Sequence, residues 1–293
     1  MRFGNHTFII AEAGINHNGS VDMACELVDA AVEAGADAVK FQIKTPHMCL
    51  PPELWDQERD TPWGKRMRYI EYREKMELSP KALQTVVAHC QSRGIIFSAS
   101  AWDINAANKL ATFEPKFIKV ASASVTNLEL IAHIASFKLP VIMSTGMSTK
   151  MEIARAKAIL QAQVPALGLL VCTSSYPAAV EDLNLERIHA LQGMYPDCAI
   201  GYSGHEVGLW TTLCAVAMGA CIVERHLTLD RSLPGTDQAA SIEPVGFKLL
   251  VREIRQFEKA RGREEIRPLE CEKKDIARLR GSIVPLTGAH RTN

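Results

Sequence analysis

Eight short apolar runs punctuate this chain, and stretches of helical periodicity separate them. The runs are FIIAEAG (8–14), AVKFQI (38–43), IIFSAS (95–100), FIKVAS (117–122), VIMSTGM (141–147), LGLLVCTS (167–174), CAIGYSGH (198–205) and CIVERHLT (221–228). They are apolar throughout rather than alternating, so both faces of each strand must be covered, as in parallel sheets flanked by helices. The amphipathic stretches include VDMACELVDAAVEAGAD (21–37), SPKALQTVVAHCQSRG (79–94) and TKMEIARAKAILQA (149–162). Ser79-Pro80 is an N-cap followed by proline at the first helical position, and Gly35 and Gly94 are placed to end helices. Eight strand–helix pairs over 293 residues predict an α/β fold, the (β/α)₈ TIM barrel. A doubly wound sheet usually has fewer strands and no need to close. The barrel is expected over residues 1–265, with 266–293 as a C-terminal tail too short for a domain of its own.

Charge and composition exclude several partner classes. The 33 basic and 33 acidic residues cancel, so bulk electrostatics gives no reason to expect nucleic acid or an anionic membrane. The N-terminal apolar run is cut by Glu12 and is not a signal peptide, and no run approaches the roughly 18 apolar residues of a membrane span. The eight cysteines form no CxxC pair and are expected to be reduced in a cytoplasmic protein. Residues 44–78 interrupt the pattern. This connection is long for a βα loop, and Trp55, Trp63 and the Pro51-Pro52 pair predict an ordered lid.

In a barrel of this kind the site lies at the C-terminal ends of the strands. Those ends carry Glu12, Asn16 and His17; Lys40 and Gln42; Ser100; Lys119 and Ser122; Ser144 and Thr145; Thr173, Ser174 and Tyr176; Ser203 and His205; and Glu224 and His226. Two lysines among serine hydroxyls suit a small anion bearing phosphate and carboxylate. The histidines end neighbouring strands. Two readings are open: ligands of a divalent ion such as Mn²⁺, or a structural pair hydrogen-bonded to Glu224 and backbone. The last strand breaks into Glu224-Arg225-His226, and three ionisable residues are costly in a core unless paired or bound. Glu224 or Arg225 is expected to orient His226 or to pair with a neighbour.

IIAEAGINHNGS (9–20), GADAVKFQ (35–42), KVASAS (119–124), STGM (144–147), CTSSYP (172–177), IGYSGH (200–205), VERHLT (223–228) and PGTD (234–237), in this order and spacing, closely resemble the sialic acid synthase family. The resemblance runs from about residue 7 to 262. It implies a (β/α)₈ barrel that condenses phosphoenolpyruvate with an open-chain aldose. The products implied are a 2-keto-3-deoxy sugar acid of the nonulosonate type and phosphate. It also implies a divalent metal on His205 and His226, with Mn²⁺ favoured over Mg²⁺ or Co²⁺. Phosphoenolpyruvate contacts match Lys40, Ser100, Lys119, Ser122, Ser144, Ser174 and Ser203. The acid/base carboxylate matches Glu12, sugar contacts match Gln42, Tyr176 and Asp237, and a homodimer is implied. The alternative is a Kdo-8-phosphate or DAHP-type synthase acting on a phosphorylated aldose, with Arg59, Lys65 and Arg66 reaching its far end.

The chain also departs from the family pattern. Family members commonly carry glutamate at Ser124, Asn at Ser174, Asp at Gly204 and Thr at Ser100. Bacterial members commonly continue into an antifreeze-like domain that caps the partner's site. SIVPLTGAHRTN (282–293) resembles the first strand of that domain, and the tail is expected to be its remnant. The acceptor expected from these departures is a sugar other than N-acetylmannosamine, differently substituted or neutral. Otherwise a cap comes from the 44–78 loop or a separate protein.

Overall fold

The structure, a computed structural model, describes residues 6–262 and 264–280. Eight parallel strands close a barrel: β1 (Phe8–Gly14), β2 (Ala38–Ile43), β3 (Ile96–Ala101), β4 (Ile118–Val120), β5 (Val141–Ser144), β6 (Leu167–Cys172), β7 (Ala199–Gly204) and β8 (Ile222–His226). Each strand pairs with its sequence neighbours, and β8 closes the ring on β1 in a register that ends at Glu12 opposite His226. Helices follow the strands: α1 (Val21–Ala34), α2 (Pro80–Arg93), α3 (Ile104–Ala111), α4 (Leu128–Ser136), α5 (Lys150–Gln161), α6 (Arg187–Met194), α7 (Trp210–Ala217) and α8 (Pro244–Arg261). The expected (β/α)₈ barrel is present.

The local signals read from the sequence have physical counterparts. Ser20 and Ser79 accept hydrogen bonds from the backbone of the first turns of α1 and α2. Gly35 and Gly94 end those helices with φ of 83° and 72°, a left-handed turn that glycine adopts without a Cβ penalty. From β4 to β8 the strands end earlier than their apolar runs suggest. The run 117–122 forms a strand only over Ile118–Val120, because Ser122–Ser124 turns into a 3₁₀ helix.

Strand alternation sorts the core into two shells. Ile9, Ala11, Val39, Phe41, Val120, Met143, Leu169 and Val223 point outward and pack with the helices in one continuous cluster. Phe8, Ile10, Ala38, Phe117, Ile142, Leu170 and Ile222 form a separate cluster inside the barrel. Each inward series then turns polar toward the C-terminal rim. Ile10 gives way to Glu12, Ala38 to Lys40, Phe117 to Lys119, Ile142 to Ser144 and Ile222 to Glu224. The barrel interior is an apolar plug below and a buried polar layer above.

The 44–78 connection is ordered, as expected. It holds a helical turn (Pro46–Cys49), two short antiparallel strands (Glu58–Asp60 and Arg66–Arg68) and a helix (Tyr69–Met76). Tyr72 and Met76 are buried against Ile15, with Trp63, Met67 and Tyr69 packed around them. By chain contacts the molecule divides into units 1–258 and 259–293. The second unit contains the helix Lys273–Arg280. The proposed strand remnant 282–293 lies outside the described residues. Among the described residues no helix is long and apolar enough to cross a membrane, and all eight cysteines are free.

Candidate active site

A cavity of about 190 Å³ opens at the C-terminal rim. It is smaller than the ~300–1,000 Å³ usual for drug-sized ligands, so it suits a compact substrate. Twelve of the thirteen residues singled out in the sequence line it: Glu12, Lys40, Gln42, Ser100, Lys119, Ser122, Ser144, Ser174, Tyr176, Ser203, His205 and His226. Asp237 is the exception. Its Oδ2 lies 3.7 Å from His226 Nδ1, so the expected sugar contact stands beside an imidazole.

The floor is a buried chain of alternating charge. Lys40 Nζ lies 2.5 Å from Glu12 Oε2 and 3.8 Å from Glu224 Oε2, and Lys119 Nζ lies 3.8 Å from Glu224 Oε1. Lys40 donates to Ser100 Oγ at 2.8 Å and Lys119 to Ser144 Oγ at 2.7 Å. Gln42 donates to Glu12 Oε1 at 3.0 Å, and Ser203 to Glu224 Oε1 at 3.0 Å. The two lysines and two carboxylates are each at most 4% exposed. Ionised groups this deep cost several kcal/mol each unless paired, which explains the alternation.

The two carboxyls diverge. Burial pushes Glu12 up to about 7, with Lys40 opposing and the charge of Glu224 adding to the rise. Burial also pushes on Glu224, but Lys119 and Lys40 together outweigh it and hold that carboxyl near 2. Paired carboxyls separated in this way divide into a proton carrier and a permanent anion. Burial lowers Lys119 below the ordinary lysine range.

Hydroxyls and backbone complete the anion-binding wall. Ser122 Oγ accepts from Gly146 N at 3.0 Å. A Cβ at Gly146 would lie 2.4 Å from Ser174 Oγ and 2.9 Å from Ser122 Oγ, so only glycine lets that loop approach both hydroxyls.

At the mouth, the rings of His205 and His226 are 5.2 Å apart, and Tyr176 packs 4.2 Å from His205. His205 Nδ1 lies 2.8 Å from Thr173 O; a carbonyl only accepts, so this nitrogen donates and the other is left as a lone pair. Burial holds His226 neutral, down to about 3. Its Nδ1 is buried without a hydrogen-bond partner. A structural pair bonded to Glu224 would leave no such orphan. Burial lowers His205, but the Cys172 thiol and the Thr173 carbonyl outweigh it and raise that ring above the ordinary value. In its neutral form its free nitrogen and that of His226 fit a divalent ion. Among the described residues no group of three or more His, Cys, Asp or Glu is arranged as a metal site. Water or substrate oxygens would therefore fill the remaining positions.

Other rim residues are structural. Asn16 Nδ2 donates to Leu227 O and Ser241 Oγ, tying the loops after β1 and β8 together. His17 Nδ1 accepts from Gly19 N, Thr145 donates to Leu170 O, and Thr173 donates to Asp182 O. Residues 44–78 contribute nothing to the cavity lining.

Of the two roles expected of Arg225, orienting His226 or pairing with a neighbour, the structure shows the second. It points outward and pairs with Glu206 at 2.9 Å. Glu224, also expected to orient or to pair, lines the cavity and pairs with both lysines. Cys172, at the end of β6, lines the cavity without having been singled out in the sequence.

The sequence profile of the NeuB family matches residues 27–266. The chain belongs to the NeuB family. It is 35% identical over 286 residues to the N,N'-diacetyllegionaminic acid synthase of Campylobacter jejuni, covering 95% of this chain and 84% of that protein. It is 36% identical over 284 residues to the mouse N-acetylneuraminate-9-phosphate synthase, covering 96% and 79%. A crystal structure of N-acetylneuraminic acid (sialic acid) synthetase from Leptospira borgpetersenii, in complex with citrate, superposes with a TM-score of 0.83 at 33% identity, covering 96% and 93%. These NeuB relatives meet the expectation of a sugar acid synthase. Likeness to a Thermotoga maritima 3-deoxy-D-arabino-heptulosonate 7-phosphate synthase is a likeness of fold alone, at 16% identity and a TM-score of 0.65 over 88% of each chain.

Proposed function

We propose that this NeuB-family protein condenses phosphoenolpyruvate with an open-chain aldose, giving a 2-keto-3-deoxy sugar acid of the nonulosonate type and phosphate. The observation that carries the reading is the convergence of two buried lysines, five serines and two imidazoles on one small cavity. Of Arg59, Lys65 and Arg66, which could reach a sugar phosphate in the alternative, Arg59 stacks on Tyr69 and Arg66 pairs with Glu58 and Asp60.

Lys40 and Lys119, with Ser100 and Ser144, hold the phosphate and carboxylate of phosphoenolpyruvate, which orients C3 toward the aldehyde. Mn²⁺, held by His205 and His226, would act as a Lewis acid on the aldehyde oxygen. C3 bonds to the aldehyde carbon, and the electron-poor C2 is captured by water. Glu12 takes the proton from that water and delivers it to the oxygen of the former aldehyde, so the proton balance closes within the site. The tetrahedral carbon then expels phosphate as its C–O bond breaks and the C2 carbonyl forms, the remaining C2 hydroxyl proton passing to the departing phosphate. Glu224, held ionised, stands between both lysines and fixes their spacing. Gln42, Tyr176 and Asp237 meet the sugar, the enzyme works as a cytoplasmic homodimer, and the acceptor is a sugar other than N-acetylmannosamine.

A panel of aldoses incubated with phosphoenolpyruvate and Mn²⁺, scored by phosphate release and product mass, tests this reading. The expected result is phosphate release coupled to a product heavier than its aldose by the elements of pyruvic acid. Release only with phosphorylated aldoses supports the alternative instead. Efficient turnover of N-acetylmannosamine overturns the stated acceptor.

A further inference from the structure

The two imidazoles are next to a second, fully buried pair. Glu206 follows His205, and Arg225 precedes His226. Both side chains are completely buried. They face away from the cavity, on the side covered by α7. Arg225 Nη1 donates to Glu206 Oε1 at 2.9 Å, Gly208 O at 3.0 Å and Thr212 Oγ1 at 2.7 Å, and Nη2 donates to Glu206 O. Glu206 also accepts from Tyr202 Oη at 2.9 Å and from Thr211 Oγ1.

The strand ladder explains why such a device is needed. On one side His226 is registered against Glu12 of β1. On the other, the ladder between β8 and β7 stops at Arg225 opposite Gly204. His205 therefore lies one residue past the last pair and gets no fixed spacing to His226 from the sheet. Arg225 begins where the ladder ends, and it grips the carbonyls of Glu206 and Gly208, directly after His205. Stability is a poor explanation for this pair. Buried ion pairs are often replaceable by apolar residues at no loss, and Arg225 Nε is buried without a partner.

We propose that the Glu206–Arg225 pair is a positioning clamp that sets the separation of the two imidazoles for a divalent cation. The proposal rests on the metal reading above. The clamp carries the fixed position of β8 across to the segment holding His205. Gly204 is part of it. A Cβ there would lie 2.6 Å from Glu206 Oε2, 2.6 Å from Tyr202 Cε1 and 2.9 Å from Arg225 Cδ, so only glycine leaves room for the pair.

Titration of the full chain with Mn²⁺, followed by the electron paramagnetic resonance signal of free ion, tests the clamp. Wild-type protein should bind and His226→Ala should not. Glu206→Gln and Arg225→Lys should bind Mn²⁺ about 10–100-fold more weakly, as for other groups that orient metal ligands. Their affinity for phosphoenolpyruvate, measured by calorimetry in metal-free buffer, should stay within about twofold, because Lys40 and Lys119 stand on other strands. Thr212→Val removes one bond to Arg225 at constant volume and gives a milder loss if a charged-pair variant fails to fold. Unchanged Mn²⁺ affinity in folded Arg225→Lys and Thr212→Val overturns the clamp. So does a parallel loss of both ligands, which marks a merely structural pair. If wild-type protein itself binds no Mn²⁺, the metal reading fails and the clamp with it.

Discussion

Glu12 and Glu224 are chemically alike, buried alike and both near Lys40, yet they end on opposite sides of neutrality. The difference is the number of ammonium partners. Glu224 stands between two lysines, whereas Glu12 has Lys40 alone and also feels the negative charge of Glu224. Catalysis through Glu12 as proton acceptor requires its ionised form. Activity should therefore rise as pH increases through about 7. In Glu12→Gln that limb should vanish and kcat should fall by about 10²–10⁴-fold, the usual contribution of a general acid–base group. A kcat/KM profile with its limb intact in the variant would remove Glu12 from this role. His226 shows the converse effect. Burial with no carboxylate in hydrogen-bond contact keeps it neutral, as a metal ligand must be.

The strands act as rulers. Residues two apart share a face, so the inward series of β8 reads Ile222, Glu224, His226, while Arg225 belongs to the outer shell. This periodicity makes both the anion floor and the clamp from one five-residue strand. It also demands close strand approach on the inner wall. A Cβ at Gly201 of β7 would lie 2.4 Å from Ile222 O and 2.5 Å from Leu170 Cδ2, inside the apolar plug. Gly201→Ala should therefore cost about 1–3 kcal/mol, the usual penalty for overpacking a core. Urea unfolding checks this, and a shift below ~0.5 kcal/mol would mean the plug is loosely packed. The 44–78 segment shows how periodicity misleads by omission. Its polar short strands, Glu58–Asp60 and Arg66–Arg68, carry no apolar signature, and its order comes from Trp63, Tyr72 and Met76 packing on Ile15.

At the scale of the molecule, the barrel closes only because β8 returns to β1, and that closure brings His226 beside Glu12. A cation on His205 and His226 would bind the folded chain and not the unfolded one. Mn²⁺ should then raise the thermal midpoint, by the equivalent of about 2.7 kcal/mol at a hundredfold excess over its dissociation constant. Chelation should reverse the rise, and His226→Ala should abolish it. Differential scanning calorimetry reads all three, and an equal rise in His226→Ala would locate the ion elsewhere.

The sequence by itself determined the architecture. Eight apolar runs alternating with amphipathic helices have few ways to bury both faces of every strand, and a closed barrel is one that needs no edge. The sequence also determined most of the residues that reach the rim, because period and position place them there, and thirteen of the seventeen strand-end residues share the cavity. Only the tertiary structure decided how those residues divide the labour. Whether a carboxyl near a lysine is a proton carrier or a fixed anion depends on distances across strands far apart in sequence. Whether Arg225 serves His226 or Glu206 depends on which shell it faces. The sequence contains the side chains of an electrostatic network, but their couplings exist only once the chain is folded, because Coulomb energy depends on separation and burial rather than on order along the chain.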